Sequence, residues 1–378
     1  MTSKLCRQLG IEFPLFAFSH CRDVVAAVSK AGGFGVLGAT AFNPEQLAVE
    51  LDWIDAHVDG KPYGVDVLIP ENMAAKAEKD LTSKKLAERI PQQHRDFVDG
   101  LLRAHNVEPG ESNYRNRDDA PPPFWPDEAM ELLRVAFKHP IGMIINALGV
   151  PPPEMIQMGR DHGVPVAALA GAKEHALRLA AAGCDIIVAQ GGEAGGHCGE
   201  VSTLVLIPEV VRALKAGGYD CPVLAAGGIM TGEQMAACMA MGAAGAWTGS
   251  VWLATLESET SQIFREKMVD ARSRDTVRSK GRTGKYSRQL KSAWTDAWEG
   301  PESPGALPMP MQSLIAEPAI HRATKAAEGG NEKARELVTY FVGQGVGLVK
   351  DITSARSVVQ DFMQDYAEAV ETLNAAFE

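Results

Sequence analysis

The chain has 378 residues, 46% of them hydrophobic and 22% charged, and carries a formal net charge of −11 at neutral pH. That length suits one large α/β barrel with additions, or two smaller domains. The acidic balance excludes nucleic acid or an anionic membrane as the main partner, and no apolar run reaches the roughly 20 residues of a membrane span. The stretch Met1 to Gln8 lacks the apolar core of a signal peptide, so a cytoplasmic protein is expected. The six cysteines form no CxxC pair and no metal-ligand spacing. Reduced, mostly structural thiols and no metal are the expectation.

Taken in order, Glu12–Phe18 reads as a first strand, followed by a helix from Cys21 to Lys30 that stops at Ala31-Gly32-Gly33, with glycine just past its end. Phe34–Gly38 is a second strand. Asn43-Pro44 opens a helix to about His57, with a capping residue before a proline at the first helical position. Tyr63–Ile69 is a third strand. The rhythm then breaks: Glu71 to about Asp127 is polar, with helices expected near Met73–Arg89 and Gln92–His105 and a coil from Glu108 to Trp125. An insertion this long in a repeating fold is a lid or binding loop, or else a solvated decoration. Phe124 and Trp125 either wall a substrate pocket or anchor that loop.

Alternation resumes with helix Glu128–Phe137, strand Ile141–Asn146, helix Glu154–His162, strand Pro165–Leu169 and helix Lys173–Ala182. Strand Cys184–Val188, helix Leu204–Ala216, strand Cys221–Ala226, helix Thr231–Met241 and strand Ala243–Thr248 complete the series. Roughly eight strands alternating with helices is the count of a closed (β/α)8 barrel. The first strand–helix turn carries no G-x-G-x-x-G fingerprint of the open doubly wound sheet. The expected organisation is therefore a barrel built from residues 1–70 and 128–258, an insertion over 71–127, and a mostly helical C-terminal extension, 259–378, packing on the barrel. The extension holds a polar stretch at Arg278–Arg288 and a proline-rich loop at Pro301–Pro310.

The chemistry gathers after the sixth strand, in Ala189–Gly199. Five of these eleven residues are glycine, so the backbone can approach a flat ligand closely. The loop carries one imidazole, His197, able to act as acid or base near neutrality. It also carries one carboxylate, Glu193, read as bracing the loop rather than orienting a donor. Strands seven and eight end in Gly227-Gly228-Ile229 and Thr248-Gly249-Ser250, where barrels commonly bind a phosphate on bare backbone N–H groups. The basic residues Lys280, Arg282, Lys285 and Arg288 read mainly as a solvated surface stretch, with the phosphates of NAD(P)H or CoA as the alternative.

The set Gln190–Gly199, Ala225–Ile229, Thr248-Gly249-Ser250 and Ala254–Ser258 resembles the nitronate monooxygenase (2-nitropropane dioxygenase-like) family. Fainter echoes follow in Gly281-Arg282-Thr283 and Gly343-Gln344-Gly345. The resemblance implies non-covalent FMN in a TIM barrel. Ala17 and Phe18 would contact the flavin by backbone, and Asp66 and Gln190 by side chain. Gly195 would lie by the ring, while Gly227, Gly228, Trp247, Thr248, Gly249 and Ser250 would serve the ribityl and phosphate end. His197 falls on the family's catalytic histidine, as base or anion binder. The implied reaction oxidises an alkyl nitronate with O2 to a carbonyl compound and nitrite.

Three positions depart from the family pattern. Ala17-Phe18 stands where Pro-Met is common, and Val251-Trp252 where Arg-Phe is usual. Asp66 stands where Asn is usual; as an ionised carboxylate it would accept but not donate, meeting only the flavin's N–H. The alternatives are an NAD(P)H-dependent FMN reductase of quinones or enoyl thioesters, and a flavin- or phosphate-binding barrel without catalysis. The expected partners are thus a small-molecule substrate with O2 or NAD(P)H, and a homodimer is one possible assembly.

Overall fold

The computed structural model describes residues 3–69, 82–110 and 126–376. Eight parallel strands pair in chain order and close on themselves: β1 (Leu15–Ser19), β2 (Phe34–Gly38), β3 (Tyr63–Val67), β4 (Met143–Asn146), β5 (Val166–Ala170), β6 (Ile186–Gln190), β7 (Val223–Ala226) and β8 (Gly245–Thr248). The barrel read from the alternation is the one that forms. The first strand starts later than expected. The backbone N–H groups of Glu12 and Phe13 both donate to the Gly32 carbonyl instead of joining the sheet.

Strand alternation sorts side chains into two cores. Phe16, Phe34, Val36, Met143, Ile145 and Val188 fill the interior, while Leu15, Leu37, Val65 and Val67 pack outward against the helices. The closing seam is fastened by a side chain. Ala17 pairs with Thr248 across β1 and β8, and the Thr248 hydroxyl donates to the Phe16 carbonyl at 2.9 Å while accepting the Trp252 indole N–H at 2.9 Å. Below the barrel lies a helix that the sequence pattern had not suggested, Lys4–Leu9. It is capped by Ser3, ends at the left-handed Gly10, and turns Leu5, Cys6 and Leu9 into the interior core. Six residues are too few to show a helical period.

Helices Arg22–Lys30, Pro44–His57, Pro126–Ala136, Pro153–His162, Lys173–Ala182, Thr203–Ala216 and Gly232–Ala240 follow the first seven strands. The eighth place in the outer ring is filled from far along the chain. Helix Ala355–Ala375 lies between Gly232–Ala240 and Arg22–Lys30, inserting Val358, Val359 and Phe362 into the outer core. The barrel thus draws on this last helix besides the two segments expected from sequence.

Between β8 and that helix, residues 262–348 fold beside the barrel. An antiparallel pair, β9 (Thr276–Ser279) and β10 (Ser287–Leu290), joins helices Gln262–Asp270, Ala293–Glu299, Met311–Glu328 and Glu332–Leu337. The described part of the insertion, Ser83–Glu88 and Gln92–Ala104, packs onto helix Met311–Glu328. Val98 and Leu102 thereby share a second core with Phe264, Met268, Trp294 and Ile320. Phe124, Trp125 and most of the expected helix Met73–Arg89 lie outside the described residues.

Among the described residues no helix is long and apolar enough to cross a membrane. Gly232 sets the approach of the last helix: a methyl built on it would overlap the Phe362 carbonyl and the Tyr366 amide. Gly232→Ala should therefore destabilise the protein by about 1–3 kcal/mol, as overpacking does. The expected result is a lower thermal midpoint, with proteolytic cleavage beginning near residue 355.

Candidate active site

The loop Gly191–Gly199 leaves the C-terminal end of β6 with little apolar content of its own, so its shape is fixed from outside. The Gly196 N–H donates to the Arg288 carbonyl at 3.0 Å, and the Arg288 N–H returns a bond to Gly196 at 2.8 Å. The Arg288 guanidinium donates to the Gly192 carbonyl at 2.8 and 3.2 Å. On the other side the Gln344 N–H donates to the Glu193 carbonyl at 2.8 Å. Backbones touch here: a methyl on Gly195 would stand 2.8 Å from the Val342 carbonyl carbon, and one on Gly343 would stand 2.7 Å from the Glu193 carbonyl oxygen. Only glycine permits that contact. Glu193 braces the loop as expected, its carboxylate accepting the Thr203 N–H and hydroxyl, both at 2.9 Å, at the start of helix Thr203–Ala216. An acidic group there also complements the helix dipole.

His197 keeps open surface, yet protein crowds its ring and holds its proton affinity below the ordinary histidine range. Burial is the larger cause, and the Lys285 ammonium the second. His197 Nε2 lies 2.9 Å from Thr283 Oγ1. The Thr283 hydroxyl also lies 3.0 Å from the Lys285 carbonyl, and its oxygen takes the Lys285 N–H at 3.3 Å. With its proton on the Lys285 carbonyl, the hydroxyl can accept from Nε2, an arrangement in which Nδ1 is the basic nitrogen. Phe341 lies beside the ring, centroid to centroid 6.3 Å. Neighbouring Cys198 is no activated thiol, since burial pushes its proton affinity up.

The other expected residues divide by what they touch. Asp66 and Gln190 end the inward-facing rows of β3 and β6; Asp66 Oδ1 is shut away without a hydrogen-bond partner, and no described residue partners the Gln190 amide. Phe18 leans inward over Trp247, centroids 6.2 Å apart. Trp247 in turn stacks on Phe16, so its indole helps fill the barrel. The Ala17 methyl faces the helices, which leaves only its backbone for a ligand. The Thr248 hydroxyl is committed to the seam. Gly227 and Gly228 hold left-handed backbones, φ +114° and +70°, and close approach to Thr203 and Glu193 respectively requires their bare Cα atoms. Around Gly249 a methyl would meet nothing within 4 Å. Ser250 Oγ accepts the Gly343 N–H at 2.8 Å and retains its own proton to donate. No protein acceptor takes the N–H of Gly228 or Gly249 among the described residues. Together the orphaned acid at the inner wall and these uncommitted donors in the two late turns fit a flat heteroaromatic ring with an anionic tail.

Two sequence expectations are corrected. For Asp66, read as an ionised carboxylate, burial alone pushes the proton affinity well above the usual range and favours the acid form, which can donate. The basic stretch is not simply solvated either. Arg282 is 3% exposed. It grips Glu317 with two bonds of 2.7 and 2.9 Å and lies over the rings of Tyr340 and Phe341. Thr283 and Phe341 were not picked out as site residues, Thr283 entering only through the faint Gly281-Arg282-Thr283 echo, and Lys285 was read only as part of the basic stretch. Asp52, Asp55 and His139 also cluster, but at the opposite end of β3. There Asp55 takes the Tyr63 hydroxyl at 2.6 Å and His139 Nδ1 at 2.7 Å, which accounts for the grouping without an ion.

The nitronate monooxygenase family model matches residues 4–365. The chain belongs to that family. A protein of Mycobacterium tuberculosis named "Putative monooxygenase Rv1533" is 50% identical over 371 residues, 98% of each chain. A "Probable nitronate monooxygenase" of Staphylococcus aureus is 28% identical, covering 90% of this chain and 91% of that one. Among solved structures, nitroalkane oxidase from Streptomyces ansochromogenes superposes with a TM-score of 0.77 at 27% identity, over 98% of this chain and 100% of the other. FabK from Thermotoga maritima gives 0.71 at 25% identity, over 100% and 99%. This nitronate monooxygenase family member is a flavin-dependent oxidoreductase. Because Arg282 anchors the segment that carries Thr283 and Lys285, Arg282→Met should cost about 3 kcal/mol by leaving Glu317 unpaired. Chemical denaturation is the measurement, with loss of His197 tautomer order visible in imidazole NMR as the accompanying change.

Proposed function

We propose that this enzyme binds FMN at the barrel mouth and oxidises alkyl nitronates with O2 to a carbonyl compound and nitrite. The single observation that carries the reading is the Thr283–His197 hydrogen bond, which holds the imidazole at the barrel mouth; with Thr283 accepting, Nδ1 is left as the base. Bound flavin would supply the two-electron acceptor and return those electrons to O2. Asp66 and Gln190 would hold its ring, and Gly228, Gly249 and Ser250 its phosphate. His197 is the catalytic residue. Its Nδ1 takes the α-proton of a neutral nitroalkane, and the resulting imidazolium then lies beside the anion it has produced. A preformed nitronate needs no proton removed, so for that substrate the histidine serves only to bind and orient.

The test is direct. The purified protein should be yellow and turn over propionate 3-nitronate with O2 uptake and nitrite release, and should remain oxidised when NADH or NADPH is added without oxygen. Rapid bleaching by either nucleotide would instead support the quinone or enoyl-thioester reductase. His197→Ala should lower turnover of neutral nitroalkanes by about 10²–10⁴, the usual worth of a positioned base, and lower that of nitronates much less. Equal losses on both substrates would remove the proton-transfer role.

The pH dependence has a definite sign. Burial first and the Lys285 ammonium second depress the proton affinity of His197, so the low-pH loss of nitroalkane oxidation should fall below the ordinary histidine value of about 6.5. Lys285→Ala should move that limb to higher pH, and kcat/KM profiles read the shift.

A further inference from the structure

The inner wall of the barrel holds one acidic side chain, and it has no job in the fold. Asp66 is on β3, where Gly64 and Asp66 face inward while Tyr63, Val65 and Val67 pack outward. It pairs across the sheet with Gly38 of β2 and Ile145 of β4, neither of which offers a hydrogen bond from a side chain. The residue is 4% exposed, and its Oδ1 is buried without a partner. Buried polar atoms in native proteins are nearly always paired, so an orphan on the wall of a ligand site points to a group that arrives later.

The neighbouring elements leave the acid little charge to answer. Strands β2 and β4, Phe34–Gly38 and Met143–Asn146, contain no ionisable residue. On β4 the polar Asn146 is spent on the Ile69 N–H and the carbonyls of Ile69 and Leu148. The titratable group nearest in register is His20, whose Nδ1 lies 3.0 Å from the Gly38 carbonyl. The acids of helix Pro44–His57 that approach β3, Asp52 and Asp55, lie on its outer side with Tyr63. The inner wall here is otherwise apolar apart from the Gln190 amide on β6, with Phe18, Ile145, Leu169 and Trp247 in the interior core.

We propose that Asp66 works as an uncharged carboxylic acid that donates one hydrogen bond to, and accepts one from, the lactam edge of the bound flavin, making flavin affinity depend on pH. This rests on the flavin reading of the site. A protonated carboxyl sets one donor beside one acceptor, matching a ring carbonyl beside an N–H. An ionised Asp66 loses the donor and directs two anionic oxygens at the carbonyl. Burial in this apolar layer favours the proton, and no opposing cation is among the causes acting on the group. Because the acid form is the one that binds, affinity falls as pH rises through the acid's own titration, where binding begins to draw a proton with it.

The experiment uses the whole protein, stripped of flavin and titrated with FMN by fluorescence quenching from pH 6 to 9. Wild type should weaken with rising pH, by a factor approaching about ten per unit above the titration of Asp66. Asp66→Asn, which always offers donor and acceptor, should bind at all pH values without that slope. Infrared spectra of flavin-free wild type should show a protonated carboxyl band at neutral pH that is missing from Asp66→Asn. The wild-type slope and band stand alone if the variant fails to fold. FMN affinity flat with pH in wild type, or no protonated band, overturns the inference and leaves the nitronate reading intact. Failure to bind FMN at any pH overturns both.

Discussion

Everything at the mouth depends on backbone meeting backbone at Glu193–Gly196 and Val342–Gly345. The glycine loop after β6 buries too little to order itself, so its geometry is imported from a segment some 150 residues later in the chain. Gly195 and Gly343 are bare because each sits against the other's main chain. The bonds from Arg288 and Gln344 then turn a flexible run into a fixed one. His197 inherits its position from that contact. Weakening it would act on the imidazole before it acted on the barrel.

The site's ionisable groups share one electrostatic habit. His197 is held towards its neutral form by crowding and by Lys285. Asp66 is held towards its neutral form by crowding alone. Glu193, the one carboxylate in the loop, is spent on the Thr203 backbone and hydroxyl.

How much of this was readable in the sequence depends on the range of the interactions. Buried parallel strands announce themselves as short apolar runs between glycines, and all eight came through. The glycine loop and its histidine were equally visible, because composition alone makes them unusual. Lys4–Leu9 is too short for periodicity, and β9 with β10 is polar and lacks a tight-turn signature. The place of Ala355–Ala375 in the outer ring leaves no local trace, since it follows β8 only in space. Charge misled in one instance: Arg282 reads as a surface residue until its pairing with Glu317 is seen. Asp66 misled in the opposite sense, because a carboxylate's ordinary behaviour is a property of water that its place on β3 removes.

The hairpin edge that bears Thr283 and Lys285 belongs to the side structure built over residues 262–348, not to the barrel wall. Thr283 holds Nε2 of the imidazole, and burial together with Lys285 lowers the ring's proton affinity. Proton chemistry and barrel closure thus draw on different parts of the chain: one connection between β9 and β10 sets the first, and the layered interior the second.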